Sequence, residues 1–264
     1  MESMAPLRGQ VGLALGGGGA RGIAHIGVLN TLDRAGIRAD LVTGVSAGAI
    51  VGAGYCAGLP LDSMVDLASH IGWHRLLRPT IPTLSLFDTA PLENLIAEQT
   101  GCQTFDDLEI PLAVVACDIL TGAEVVLQEG SLGSAVRASA AFPGLFSPIE
   151  SGEQLLVDGG IINNLPVSVL KEQGCDYVIA VDLVPPPTEM PRPANLMDMW
   201  QMAVFLMVRG TQPPAEQVDC LIAPPVGSFS FADFGRSQDL LALGRAAAEA
   251  VLPKLRHDLG MTTR

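Results

Sequence analysis

Three short motifs hold the residue types that could do chemistry. Gly44-Val45-Ser46-Ala47-Gly48 is a Gly-x-Ser-x-Gly run between an apolar stretch that reads as a strand and a small-residue stretch that reads as a helix. A serine on such an elbow stands on a sharp, strained turn with its hydroxyl exposed, and glycines such as Gly44 and Gly48 relieve the crowding of that turn. This is the setting of a nucleophile; the bland alternative is a serine in a helix packed through small side chains. Gly16-Gly17-Gly18-Gly19-Ala20-Arg21-Gly22 follows another apolar run. Glycines between a strand and a helix N-terminus let backbone N–H groups approach an anion unhindered, and the helix dipole adds to the attraction. Val157-Asp158-Gly159-Gly160 sets a carboxylate at the end of a third apolar run. Asp followed by two glycines also suits a simple turn. Buried beside Ser46, Asp158 could instead accept the serine proton as a general base.

Other chemistries fit less well. Gly17-x-Gly19-x-x-Gly22 matches the dinucleotide fingerprint, with Asp40 at about the right distance. The fingerprint acid belongs at the carboxyl end of the second strand, however, and Asp40 precedes the strand Leu41–Val45. Ser46, Asp158 and His257 follow the chain order of a hydrolase triad. Yet only one βα unit precedes Ser46, and His257, between Arg256 and Asp258, reads as a solvated helix face. His25 reads as packed within the first helix. His70 and His74 could share a helix face, but Gly72 lies between them and no third ligand follows, so no metal is expected. The cysteines (Cys56, Cys102, Cys117, Cys175, Cys220) are odd in number, lack C-x-x-C spacing and have no basic neighbours, so they read as buried, reduced thiols.

The elements that must position these motifs alternate along the chain. Strands are predicted at 11–15, 41–45, 110–117, 124–128, 154–157, 177–182 and 218–223, with a strand pair turning at Thr121–Gly122. Helices are predicted at 22–35, 47–57, 61–71, 92–99, 132–140, 167–171, 195–209 and 237–255. Pro79, Pro82 and Pro91 punctuate one loop, and Pro185, Pro186, Pro187, Pro191 and Pro193 mark a second. Such alternation implies right-handed βαβ units around a mainly parallel sheet.

The chain has 264 residues, 48% apolar and only 16% charged, with a mean hydropathy of +0.38 and a net charge of −13. Gly and Pro are too few for a disordered or fibrous chain. The acidic balance removes the usual driving force for nucleic-acid binding, so no nucleic-acid partner is expected. No apolar run long enough to span a bilayer is free of glycine punctuation, and the N-terminal apolar stretch is too short for an export signal. A cytoplasmic chain with one domain over 1–264 is expected, its motif-bearing core at about 9–225 and a C-terminal helix at 237–255.

The three motifs, in this order, resemble the patatin-like phospholipases. The likeness extends to Gly17–Leu29 (GGGARGIAHIGVL), Arg137–Pro148 (RASAAFPGLFSP) and Asp158–Pro166 (DGGIINNLP). It is nearest to bacterial members and to the catalytic domain of neuropathy target esterase. The resemblance implies a three-layer α/β/α sandwich and a Ser–Asp dyad, with Ser46 as nucleophile and Asp158 as base. It implies that the amides of Gly18 and Gly19 form the oxyanion hole, while Gly17, Arg21 and Gly22 shape that loop. Gly159 and Gly160 complete the Asp-Gly-Gly motif, with Gly160 where some relatives carry Ala. The implied reaction passes through an acyl-serine on a lipid or other acyl ester and uses no metal or cofactor. An acyltransferase or thioesterase with the same dyad, or a non-catalytic regulatory protein, are the alternatives.

One segment stands outside the motifs. Leu196–Val208 carries Met197, Met199, Met202, Met207, Trp200 and Phe205. It reads first as a buried core helix; lining an acyl groove, touching a bilayer or meeting another subunit are the alternatives. At −13, any peripheral membrane contact is expected to be apolar and transient. A homo-oligomer is not required.

Overall fold

The computed structural model describes residues 9–70, 76, 78–81, 83–186 and 192–261. Its strands are β1 (Val11–Leu15), β2 (Leu41–Val45), β3 (Arg78–Pro79), β4 (Ser85–Asp88), β5 (Leu112–Asp118), β6 (Ala123–Leu127), β7 (Gly144–Phe146), β8 (Ile149–Ser151), β9 (Gln154–Asp158), β10 (Tyr177–Val181) and β11 (Cys220–Ile222). Its helices are α1 (Ile23–Arg34), α2 (Ala47–Cys56), α3 (Leu61–His70), α4 (Ala90–Thr100), α5 (Leu132–Ser139), α6 (Val167–Glu172), α7 (Leu196–Arg209) and α8 (Ser237–Asp258).

The sequence of β1 shows why layers form on both faces of the sheet. Side chains alternate across a strand, so Val11, Leu13 and Leu15 join the large core beneath α1, α2 and α8, while Ala14 joins the smaller core beneath α6. Gly12 is on the α6 side, where a Cβ would come within 2.9 Å of Leu170 and Cys175. Large residues thus face the thick helical layer and small ones the thin layer, giving a three-layer α/β/α sandwich.

Strands β11, β10, β1, β2 and β5 are parallel neighbours in that order. Their carboxyl ends therefore share one edge of the sheet. β2 pairs with Leu112–Val115 of β5, and β6 pairs antiparallel with Val114–Asp118. A strand has only two edges, so β9, which pairs antiparallel with Ala116–Asp118, takes the edge that β2 has left. β2 and β9 consequently meet head to head: Val45 faces Val115, and Asp158 faces Ala116. β8 extends β9, and a separate small sheet runs β3–β4–β7.

The expected strands and helices of the main sandwich are present, most of them within two residues of the expected ends. β3, β4, β7 and β8 are additions. Each is short, and β4 pairs with β7 across about sixty residues of chain, so no local alternation announces them. Pro91 does not punctuate a loop; it occupies the first turn of α4, where a missing N–H costs nothing. The buried-core expectation for 196–208 is corrected: Leu196 is 85% exposed, and Met199, Leu206 and Met207 are exposed too. Ile71, His74, Pro82, Pro187 and Pro191 lie outside the described residues, as do the side chains of Met197 and Trp200. All five cysteines are free and buried. Among the described residues no helix is long and apolar enough to cross a membrane.

Helices α1 and α8 pack backbone against backbone. A Cβ on Gly27 would lie 2.2 Å from the Leu241 carbonyl oxygen, and one on Gly244 would lie 2.0 Å from that of Ala24. Gly244→Ala must push the helices apart, and should destabilise the fold by about 1–3 kcal/mol. That corresponds to about 2–4 °C in Tm per kcal/mol, read by thermal denaturation. An unchanged Tm would show that the contact is not tight.

Candidate active site

Ser46 follows the last residue of β2, at the point where β9 blocks further pairing. Its φ of 53° makes it the one non-glycine among the described residues with a left-handed backbone. Such a conformation stores about 1–3 kcal/mol of strain and needs support from its surroundings. Support comes from Ser139 of α5, which is fully buried: its hydroxyl accepts the Ser46 N–H at 2.9 Å and donates to the Val115 carbonyl at 2.6 Å. Space comes from absent side chains. A Cβ on Gly48 would fall 2.1 Å from the Leu15 carbonyl oxygen, and one on Gly44 would fall 2.8 Å from the Ala49 backbone.

Asp158, at the end of β9, is buried. It accepts the Gly160 N–H at 2.8 Å and lines the same cavity as Ser46. Burial outweighs the pull of the neighbouring Ser46 hydroxyl and Gly160 N–H and pushes its carboxyl up to about 6. Gly159 lets the following turn press on β5, since a Cβ there would meet the Val115 carbonyl oxygen at 2.3 Å. The arrangement can move a proton from Ser46 to Asp158 at a pH near neutral.

The glycine loop passes on the other side of Ser46. Gly16 N–H donates to the Val181 carbonyl, Gly17 N–H to that of Asn164, and Ala20 N–H to that of Phe231. Between them, the amides of Gly18 and Gly19 donate to no backbone carbonyl among the described residues. Gly19 needs its freedom, having φ of 59° and a would-be Cβ 2.7 Å from the Phe231 carbonyl oxygen. Gly22 leaves room for Ala47, whose Cβ would be 2.5 Å away. Arg21 points away from the site: its Nε and Nη2 both donate to the Phe229 carbonyl, and its guanidinium lies 4.5 Å from the Phe205 ring of α7. Burial lowers its pKa to about 10. It therefore ties the loop to the chain around 229–231 and to α7.

Two buried residues escaped sequence reading as parts of the site. Ser139 lies in the Arg137–Pro148 stretch, where nothing but its neighbours marks it. Asn164 is buried beside Gly17 and Gly160, lines the cavity at Ser46, and has a buried side-chain nitrogen with no partner. His25 is packed as expected and more: fully buried, its Nε2 bonds the Gly16 carbonyl at 2.8 Å, and burial lowers its pKa to about 4, so the ring is neutral and donates. His257 takes no part. It is exposed beside Asp258, which accepts from the Tyr177 hydroxyl at the amino edge of the sheet, opposite Ser46. Asp40 is at that edge as well, accepting the Val11 N–H.

Two cavities meet at Ser46. One, about 160 Å³, runs between α1, α2, α3 and α4 and is lined by Ile23, Ile26, Ile50, Leu92 and Leu95. The other, about 110 Å³, is bounded by the glycine loop, Asp158, Asn164, Leu145 of β7 and Val204, Phe205 and Val208 of α7.

This fold and site define an α/β/α protein with a serine on a strand-to-helix elbow, a buried acid beside it and a glycine loop opposite. The model of the patatin-like phospholipase family matches residues 13–171, and the chain belongs to that family. It is 38% identical to an NTE family protein of Mycobacterium tuberculosis over 66% of this chain and 30% of that one. It is 28% identical to the lysophospholipase NTE1 of Debaryomyces hansenii over 92% of this chain and 18% of that one. The chain thus spans a third or less of these curated relatives. The VipD structure from Legionella pneumophila shares the fold, with a TM-score of 0.57 at 14% identity, covering 95% of this chain and 67% of that one.

The raised carboxyl sets a stability prediction. Asp158 in the folded protein holds its proton to about pH 6 against an ordinary 3.8, so stability falls as pH rises between these values and stays lower above them. Asp158→Asn removes the buried charge. It should be more stable than the parent at pH 8, by up to about 3 kcal/mol at about 1.4 kcal/mol per pH unit, with the gap shrinking toward pH 4. Urea titrations at the two pH values measure this; equal or lower stability at pH 8 contradicts it.

Proposed function

We propose that the chain is a serine hydrolase of lipid acyl esters, with Ser46 as nucleophile and Asp158 as its general base. The observation that carries this is a strained, left-handed Ser46 set beside a buried Asp158 at the junction of two apolar cavities. Ser46 Oγ attacks the ester carbonyl while its proton passes to Asp158. The amides of Gly18 and Gly19 receive the oxyanion. The tetrahedral intermediate collapses to an acyl-serine and expels the alcohol, which takes the proton from Asp158. Water, deprotonated in turn by Asp158, attacks the acyl-serine; collapse releases the fatty acid and returns the proton to Ser46. The apolar lining of both cavities suits an acyl chain, and family membership together with the lysophospholipase name of the Debaryomyces relative supports phospholipid or lysophospholipid as substrate. Intact motif residues and an accessible elbow support a catalyst over a regulatory protein of the same fold.

Labelling by a fluorophosphonate probe and hydrolysis of nitrophenyl butyrate test this reading. Ser46→Ala should abolish both, and Asp158→Asn should lower kcat by about 10²–10⁴-fold. His257→Ala should leave both unchanged. Because only the unprotonated carboxylate accepts the serine proton, kcat/KM should climb as pH rises through about 6 and then level. Hydrolysis retained by Ser46→Ala would falsify the assignment.

A further inference from the structure

Most of the exposed large hydrophobic side chains fall in two segments. Leu196, Met199, Leu206 and Met207 stand on one face of α7, at the spacing of a helical stripe. Ile81 (80% exposed), Leu84 and Leu86 stand on the β3–β4 hairpin. α7 walls the cavity at Ser46, and the hairpin reaches it through β7. The opposite face of α7 lines it with Val204, Phe205 and Val208, and β4 pairs with β7, whose Leu145 and Phe146 line it as well. Monomeric proteins rarely group exposed apolar side chains this way unless the patch meets something.

Charge says what that something is. The chain has 28 acidic residues, yet α7 and the β3–β4 hairpin hold only Asp198 and Asp88, the latter bonded to Arg137, while Arg78 and Arg209 are exposed on them. The patch is therefore apolar and poor in acids, with Arg78 and Arg209 exposed at it, on a molecule of net charge −13. Apolar side chains bordered by arginine are what a helix lying in a lipid interface presents, and each arginine near an anionic leaflet adds attraction. A second copy on this face would bring two arginine-bearing, acid-poor surfaces together and cap both cavities. A lipid surface does neither, and lets an acyl chain pass into the cavity without crossing water.

We propose that the outer face of α7 and the β3–β4 hairpin form a docking surface for a phospholipid bilayer. This rests on the lipid-hydrolase reading for its purpose, though not for its measurement. Flotation of the Ser46→Ala protein with vesicles of phosphatidylcholine, with and without phosphatidylglycerol, reads docking apart from catalysis. Bound fraction should rise with phosphatidylglycerol. It should fall at least about tenfold in a Leu196→Ser/Met199→Ser/Leu206→Ser/Met207→Ser background, and by a smaller factor in Leu84→Ser/Leu86→Ser. With Ser46 intact, the same substitutions should leave nitrophenyl butyrate hydrolysis and Tm unchanged while fatty-acid release from vesicles falls in step with binding. Flotation unaltered by the substitutions, or weakened by phosphatidylglycerol, overturns the proposal. So does a dimer in size-exclusion chromatography that the substitutions dissociate while flotation persists, since the face then belongs to a second copy. Failure of the parent to hydrolyse any ester would sink the hydrolase reading and leave the flotation result standing.

Discussion

The site depends on one edge of β5. Because β6 holds the other edge from Val114 onward, β2 and β9 must share what remains, β2 as far as Val115 and β9 from Ala116. Two chains running toward each other along one edge must both turn out where they meet. Ser46 and Asp158 are the residues at that collision, and their proximity follows from strand register rather than from closeness in sequence. Val115 anchors both turns: its carbonyl accepts the Ser139 hydroxyl that holds Ser46 N–H, and the same carbonyl leaves no room for a Cβ on Gly159.

Burial then tunes the groups gathered there, each in the direction its charge dictates. The carboxyl of Asp158 rises to about 6, the imidazole of His25 falls to about 4, and the guanidinium of Arg21 falls to about 10. The outcomes differ in kind. His25 becomes a fixed neutral donor to the Gly16 carbonyl, and Arg21 stays a cation bonded to the Phe229 carbonyl, so both serve to hold the glycine loop. Asp158 alone is brought near neutrality, where a small change of surroundings shifts its proton. The expense of that arrangement falls on folding stability, and the strain at Ser46 adds to it.

The motifs were legible because close backbone approach leaves a mark in residue type. Gly44, Gly48, Gly22 and Gly159 each face another chain segment closer than a side chain permits, and only glycine fits. The main strands were legible because each is an apolar run ending in a turn signal. Ser139 and Asn164 were not, since a buried serine or asparagine looks the same in sequence whether it braces a site or caps a loop. β4 and β7 were not legible either: their pairing is non-local, and three- or four-residue strands carry too little alternation to register. The error over 196–208 has a different origin. Periodicity distinguishes an apolar stripe from a polar one, but α7 is apolar on two faces, and composition alone assigns such a helix to the interior.

The two faces of α7 are not independent. Phe205, on its inner face, stacks on Arg21, and Arg21 bonds the carbonyl of Phe229, two residues before the Phe231 carbonyl that accepts Ala20 N–H. The helix whose outer face is bare is therefore tied through one guanidinium to the loop that presents the Gly18 and Gly19 amides. Lifting α7 by a few ångströms removes the ring from Arg21 and opens a cation already low in hydrogen bonds, with Nη1 buried and unpartnered. A buried charge that loses its partners is expensive, so the position of α7 and the shape of the glycine loop are held together energetically. What covers the outer face of α7 thus bears on the geometry beside Ser46.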